Sequence, residues 1–370
     1  MKKLKVIHLI PSLDRGGAEM SLIKLVKNTN EILDHEIMTF SQKGSMSCEL
    51  EEIGIPVHTL NFKKTGYIKS IYIFYKFLKS NKFNIMQTWM YHADLFGLIS
   101  AKLAGINSIF WNVRCSTVYI NDKSIKKQLV LRTNAFLSKY VCGIITNAHI
   151  NKEVHIKYGY HNKNWSVIPN AFDTDKFCPS KDIYNKKRHE LAISSDEILI
   201  GFMARFDEFK DHETFLKVIE KLSIENKKIK GILVGRGIKN AKITNNYKKK
   251  LNDSLILIDE VCDTSTFYKI MDVHLLTSTS EGFPNVIGEA MSTGVPCVAT
   301  NCGDCAEIIG DTGYISKAKD IQSIVNNIKK IIQEKSEKSE AARVRIINNY
   351  SINIMCNNYH RIYINSQNNT

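Results

Sequence analysis

No run of apolar residues in this 370-residue chain approaches the ~18 needed to cross a bilayer, which argues against an integral helical membrane protein. The start, MKKLKVIHLIPS, has a basic head but a five-residue apolar core, broken by His8 and ended by Pro11. A signal peptide needs a longer core, so this segment reads as a first β-strand and the protein is expected in the cytoplasm. The nine cysteines are an odd number without disulfide-framework spacing, as in a reducing compartment. Cys302-x-x-Cys305 is the one close pair; it lacks two further ligands at zinc-motif spacing and reads as buried or idle thiols. No short-period repeat and no RNA- or DNA-binding motif occurs, so nucleic acid is not the expected partner.

Acidic residues are scarce in one place. Between residues 57 and 170 only Asp94, Asp122 and Glu153 are acidic, and residues 1–170 hold 23 Lys+Arg against 11 Asp+Glu, a balance of +12. Residues 171–370 hold 28 against 26, so one half carries nearly all of the net +14. A one-sided basic surface suits anionic lipid, nucleic acid or a phosphorylated substrate.

What is present is alternation. Strand-like runs at Leu4–Leu9, Glu36–Phe40, Ile85–Thr88, Ser108–Val113, Cys142–Thr146 and Trp165–Ile168 are separated by amphipathic helical stretches. The pattern repeats at Ile198–Met203, Lys230–Val234, Leu255–Ile258, Val273–Leu276 and Pro296–Ala299. This predicts an α/β protein of two Rossmann-like domains facing across a cleft, with ligand beyond the C-terminal strand ends. The expected domains are residues 1–172 and 173–350, with residues 351–370 as a C-terminal helix able to cross back to the first. The polar, irregular stretch Asn170–Lys187 reads as a linker.

Between Ser278 and Gly303 the chain reads STSEGFPNVIGEAMSTGVPCVATNCG, with seven residues between Glu281 and Glu289. Pro284 suits the first position of a helix running to Met291, leaving N–H groups at Asn285, Val286 and Ile287 to face an anion. Glu289 then stands about 7.5 Å along that helix, and both carboxylates are expected to border one pocket. Carboxylates accept hydrogen bonds from sugar hydroxyls and a helix N-terminus holds phosphate, a combination that points to a nucleotide sugar.

This stretch resembles the Glu-x7-Glu motif of retaining, nucleotide-sugar-dependent glycosyltransferases of family 4, which have the GT-B fold. Arg15-Gly16-Gly17-Ala18-Glu19 after the first strand resembles the family's glycine-rich loop. Val167–Asp173 matches its "IPNGVD" segment, with Ala171 in the usual glycine place. That match accounts for Asp173, so Asp173-x-Asp175 is not read as a metal-binding pair. Gly201–Arg205 followed by Lys210-Asp211-His212 resembles its "GR…K" signature, and two cations at a strand end can stabilise a departing diphosphate. Leu233–Gly237, with Gly235 and Arg236, resembles the next strand-end turn. Asp259 stands where a glycine is usual.

The resemblance implies a donor site of Gly16, Gly17, Arg205, Lys210, Gly235, Arg236, Glu281, Gly282, Phe283, Pro284, Asn285, Val286 and Glu289. Arg205, Lys210 and Glu281 would be closest to the chemistry, Glu281 on the sugar hydroxyls and Glu289 on the ribose. No cofactor and no metal is expected. His92, which opens a helix after a strand, either faces the acceptor or caps that helix. Arg114 stands where many relatives have a site histidine; an arginine cannot act as base, and it is expected to hold phosphate. The implied reaction moves a sugar with retention to a glycan or lipid-linked acceptor in bacterial surface-polysaccharide synthesis. Two alternatives stay open: a GT-B nucleotide-sugar epimerase and a non-catalytic nucleotide-sugar-binding protein. The basic, aromatic stretch Tyr67–Lys79 adds an expected peripheral contact with anionic membrane. There Ile68, Ile71, Tyr75 and Leu78 are expected to face the core, with Tyr67, Phe74, Lys69, Lys76 and Lys79 left for lipid.

Overall fold

The computed structural model describes residues 3–14, 16–40, 42–114 and 124–368. The chain divides into two units, Met1–Ala171 with Ile352–Thr370, and Phe172–Ser351. Asp122 lies outside the described residues.

The first unit holds a seven-stranded parallel sheet in the order β3-β2-β1-β4-β5-β6-β7. Its strands are β1 (Leu4–Ile10), β2 (Leu33–Thr39), β3 (Val57–Thr59), β4 (Ile85–Trp89), β5 (Ser108–Val113), β6 (Gly143–Thr146) and β7 (Trp165–Val167). Alternation along β1 distributes apolar side chains to both faces. Ile7 and Leu9 join a core with Phe74, Phe96 and Trp111, while Val6 and Ile10 join Leu22, Trp89, Tyr359 and Tyr363. The second core is closed by the C-terminal helix Ile352–Asn368, whose Met355, Cys356, Tyr359 and Tyr363 are buried. Tyr363 donates to Gln87 Oε1 at 3.0 Å, satisfying a buried amide.

The second unit holds a six-stranded parallel sheet in the order β10-β9-β8-β11-β12-β13. Here the strands are β8 (Ile198–Met203), β9 (Ile229–Val234), β10 (Leu255–Ile258), β11 (Val273–Leu276), β12 (Cys297–Thr300) and β13 (Tyr314–Ser316). In both sheets the order reverses beside the first strand, β1 or β8. That is the topological switch point where open α/β sheets bind ligands.

Three expectations are corrected. The supposed linker folds in its second half into the helix Lys181–Glu190, capped by Ser180. Its buried Arg188 pairs with Asp272 at 3.1 Å and donates to the carbonyls of Ile270, Ser194 and Glu197. Its composition is so polar that no apolar stripe advertised it. In the helix Tyr67–Asn81 the buried residues are Ser70, Phe74 and Leu78, whereas Ile68 is 87% exposed. Phe74 stacks on Phe96 with centroids 5.8 Å apart, so it belongs to the core rather than to a lipid-facing surface.

Candidate active site

The C-terminal ends of β8 and β9 open into a cavity of about 230 Å³ within the second unit. Met203, Ala204 and Arg205 follow β8, Gly235 and Arg236 follow β9, and Tyr268, Val286 and Glu289 close the wall. Gly235 has φ +154°, and a Cβ there would lie 2.0 Å from the Ala204 carbonyl oxygen, so only glycine lets the two strand ends meet. The next turn is held by Asp259, whose Oδ1 accepts the Gly237 N–H at 2.8 Å. The departure at Asp259 therefore has a structural role: its carboxylate fixes the turn beside Arg236.

Glu289 lies on the helix Asn285–Ser292 and is half-buried. Tyr268, wholly buried, donates its hydroxyl to Glu289 Oε2 at 2.9 Å. Burial and the adjacent carboxylate push the Tyr268 phenol well above its ordinary range, which keeps it a donor. Sequence reasoning missed Tyr268, because nothing in the local pattern says which glutamate a helical tyrosine will meet.

The second carboxylate goes elsewhere. Glu281 Oε1 accepts from Lys210 Nζ at 2.6 Å and from Ser278 Oγ at 2.7 Å, and Glu281 is not among the residues lining the cavity. The expected single pocket bordered by both glutamates is thus corrected: Lys210 turns Glu281 toward itself. Arg205 is largely exposed and pairs with Asp207 at 2.9 Å. Both cations expected to meet a diphosphate have carboxylate partners, which hold them in place and would have to share them with a ligand.

The helix mouth also differs in detail. Pro284 is the cap residue rather than the first helical one, and the Ile287 N–H donates to the Pro284 carbonyl at 3.1 Å. Ile287 is therefore not available to an anion. Phe283 is buried and stacks near Phe172, and a Cβ on Gly288 would overlap the Phe172 ring. These contacts seat the helix at a fixed height.

In the first unit, Gly16 caps the helix Gly17–Thr29 in extended backbone, and a Cβ there would meet the Glu19 carboxylate. His92 stands exposed at the start of the helix Tyr91–Ala104, whose cap is Met90 and has no side-chain bond. The capping role is thereby removed. Partial burial and Lys127 hold its imidazole below the usual range, so it is neutral near pH 7. Arg114 is committed to protein. It donates to Ser21 Oγ (2.5 Å), Asn170 Oδ1 (2.6 Å), Asn112 Oδ1 (3.0 Å) and the Tyr359 hydroxyl (3.3 Å), and lies over the Trp89 ring at 5.2 Å. It ties the C-terminal helix to β5, and a phosphate there would have to share the guanidinium with these four acceptors.

Two doubly wound parallel-sheet units on one chain, with a cavity at the strand ends of the second, make the GT-B architecture of sugar-transferring enzymes. Comparison with known proteins is specific. A family model described as "Glycosyl transferases group 1" matches residues 184–349, and one described as "Glycosyltransferase Family 4" matches residues 15–176. The Escherichia coli UDP-Gal:alpha-D-GlcNAc-diphosphoundecaprenol alpha-1,3-galactosyltransferase is 27% identical over 95% of this chain and 94% of its own length. The Staphylococcus aureus capsular polysaccharide biosynthesis glycosyltransferase CapH is 25% identical over 82% and 83%. The Anabaena protein HepE, solved in complex with UDP, superposes with a TM-score of 0.84 over 97% of this chain and 99% of that one; at 20% identity the likeness is one of fold. The chain belongs to the family 4 glycosyltransferases.

Proposed function

We propose that this glycosyltransferase moves a sugar, with retention of anomeric configuration, from a UDP-sugar to a lipid-linked glycan acceptor in bacterial surface-polysaccharide synthesis. The observation that carries this is the Tyr268–Glu289 pair in a cavity flanked by Arg205 and Arg236 at the strand ends. A carboxylate held by a neutral donor still has lone pairs for ribose hydroxyls. The arginines supply fixed positive charge for a diphosphate. Support for UDP and for a diphosphate-lipid acceptor comes from the relatives' names alone.

In this reading Arg205 and Lys210 stabilise the negative charge that develops on the leaving diphosphate, and Glu281 positions Lys210 and meets the sugar hydroxyls. The departing phosphate takes the acceptor proton and no enzyme nucleophile takes part. No divalent ion is required. Asp173 supports that view, since its Oδ1 accepts the N–H groups of Asp175 and Lys176 and so caps its own turn.

The work site would be the cytoplasmic face of the membrane. No helix among the described residues is long and apolar enough to cross a bilayer. The helix Tyr67–Asn81 instead exposes Tyr67 (71%), Ile68 (87%), Tyr72 (54%) and Ile73 (38%) beside Lys69, Lys76 and Lys79. The helix Ile125–Leu137 likewise exposes Ile125, Leu129 and Phe136. Apolar side chains interleaved with lysine suit an anionic lipid surface.

Thermal-shift screening of nucleotides and nucleotide sugars tests the donor. UDP and one UDP-sugar should raise the melting temperature, and that sugar should appear on a polyprenyl-diphosphate-linked acceptor. Interconversion of the donor without acceptor would point to the epimerase instead.

A further inference from the structure

The turn after β12 carries two buried thiols to which the donor reading gives no role. Cys302 and Cys305 place their sulfurs 3.8 Å apart, in contact and within weak hydrogen-bonding reach. Cys305 is wholly buried, while Cys302 retains 8% exposure. Cys305 opens the helix Cys305–Ile309 directly behind β12.

This turn is pressed onto the segment that carries Glu281. Gly303 has φ +54°, and a Cβ there would lie 2.4 Å from the Gly282 carbonyl oxygen and 2.7 Å from that of Glu281. The Asp304 N–H donates to the Gly282 carbonyl at 3.0 Å. The backbone under the Lys210–Glu281 pair is thus buttressed by the residues between the two cysteines. Gly303 and Asp304 touch the backbone of Glu281 and Gly282 directly.

We propose that Cys302 and Cys305 form a reversible dithiol–disulfide modification site, oxidised by hydroperoxides, that lowers donor affinity by shifting the Glu281–Gly282 backbone. The coupling to donor affinity rests on the nucleotide-sugar reading of the cavity; the modification does not.

The two thiols are unequal. A hydrogen bond from Cys305, helped by Thr300, holds the Cys302 thiol below the usual range against burial and the Glu281 carboxylate; the bond to Cys302 and burial push Cys305 well up. Cys302, the one residue of the pair with any exposure, is therefore the attacking thiol, acting as its thiolate once it gives up its proton. Its sulfur attacks one peroxide oxygen, the O–O bond breaks, and the leaving alkoxide or hydroxide takes a proton, giving Cys302 sulfenic acid. The Cys305 thiol then loses its proton to the sulfenic hydroxyl, attacks the Cys302 sulfur and displaces water. Two thiols lose two electrons, the hydroperoxide gains them, and the products are the disulfide, an alcohol or water, and a further water. Closing the bond draws the sulfurs from 3.8 Å to about 2.05 Å, which moves the turn that supports Gly282.

The test uses the full chain, hydrogen peroxide, peptide mapping and calorimetric titration with UDP. The peptide spanning Cys302 and Cys305 should lose two hydrogens and resist alkylation until a dithiol reductant is added. UDP affinity should fall about tenfold, the loss of one charge-assisted hydrogen bond, and return on reduction. Cys305→Ser should instead leave a Cys302 sulfenic acid that a cyclic dione traps, with UDP affinity intact after reduction. Cys302→Ser should bind UDP equally before and after peroxide, which separates this pair from the exposed Cys48, Cys142 and Cys262. Absence of the cross-link at peroxide levels that oxidise those three overturns the modification site. A cross-link with unchanged UDP affinity overturns the coupling. A reduced chain that binds no UDP overturns the donor reading and leaves the cross-link result standing.

Discussion

Tyr268 and Glu289 form a donor–acceptor pair in which a wholly buried phenol fixes a half-buried carboxylate at the wall of the cavity. The tyrosine aims the carboxylate, and its ring fills space beneath the helix Asn285–Ser292 next to Phe177. A carboxylate with one oxygen fixed loses little orientational freedom when a ligand arrives, which favours binding.

The first prediction follows from that pair. Glu289→Gln removes the charge and keeps the shape, and it should weaken UDP binding by about 1.5–3 kcal/mol, the value of a hydrogen bond to a charged group. Tyr268→Phe keeps the ring and removes one donor from the carboxylate, so it should cost less, about 1 kcal/mol. Calorimetric titration of the two variants checks the order; equal affinity in Glu289→Gln and the parent would remove Glu289 from the ribose.

A second prediction concerns Arg114. Its guanidinium joins the helix Gly17–Thr29 through Ser21, β5 through Asn112, and the C-terminal helix through Tyr359. Arg114→Ala should destabilise the first unit by about 2 kcal/mol and speed amide exchange in residues 352–368 ahead of the sheet. Arg114→Lys should not restore protection, because an ammonium cannot span the same fork. Unchanged exchange in that helix would show that its apolar packing suffices.

These two sites mark how far the sequence was legible. Strands of four or more residues announced themselves, because parallel strands buried on both faces read as short apolar runs. Val57–Thr59 and Tyr314–Ser316, three residues each at sheet edges, went unseen, whereas the equally short edge strand Trp165–Val167 was visible because its run continues through Ile168 to Pro169. The Glu-x7-Glu spacing was visible, but not the rotation that sends Glu281 to Lys210, since that depends on a lysine 71 positions away. Periodicity found the helix Tyr67–Asn81 yet chose the wrong face. Ile68 lies in the first turn of the helix and is exposed, while Phe74 meets Phe96 in the core. Arg114 and Asp259 looked like ligand-side departures from a pattern. Their partners come from residues distant in sequence, which no local reading supplies.

A third prediction is a pH dependence. Asp94 is fully buried; Thr88 donates to its Oδ1 at 2.5 Å, and its Oδ2 has no partner. Burial pushes the carboxyl from 3.8 up to about 7. The folded chain therefore binds a proton that the unfolded chain has released, and stability declines as pH rises from about 4 to about 7. Asp94→Asn keeps the Thr88 contact and cannot ionise. It should be more stable than the parent at pH 8, by up to about 4 kcal/mol for a shift of this size, with the gap closing toward pH 5. Melting temperatures of both chains across that range decide it, and a gap constant with pH would mean that Asp94 does not titrate there.

A fourth prediction is that transfer survives an excess of chelator. Arg205 and Lys210 bring the positive charge that a divalent ion would otherwise supply to the diphosphate, and Asp173 is engaged in its own turn. Loss of transfer in EDTA, restored by magnesium or manganese, would refute it.

The last prediction concerns the membrane. Residues 1–170 carry a balance of +12, and the helix Tyr67–Asn81 places Lys69, Lys76 and Lys79 beside exposed Tyr67, Ile68, Tyr72 and Ile73. Each lysine near an anionic leaflet contributes about 1 kcal/mol, screened within a Debye length of ~8 Å at physiological salt. Burying the exposed isoleucine and tyrosines adds about 25 cal/mol for every Å² of apolar surface removed from water. Phe74 contributes nothing to this term, because it is already in the core. Replacing Lys69, Lys76 and Lys79 by Glu should abolish sedimentation with phosphatidylglycerol vesicles and leave UDP affinity unchanged, since the cavity lies in the second unit. Ile68→Ser should weaken sedimentation while preserving its salt dependence, and Phe74→Ser should unfold the first unit instead of merely releasing it. If the basic surface serves only to hold a phosphorylated acceptor, the parent chain will ignore acceptor-free anionic vesicles even at low salt, and lipid docking must then be abandoned.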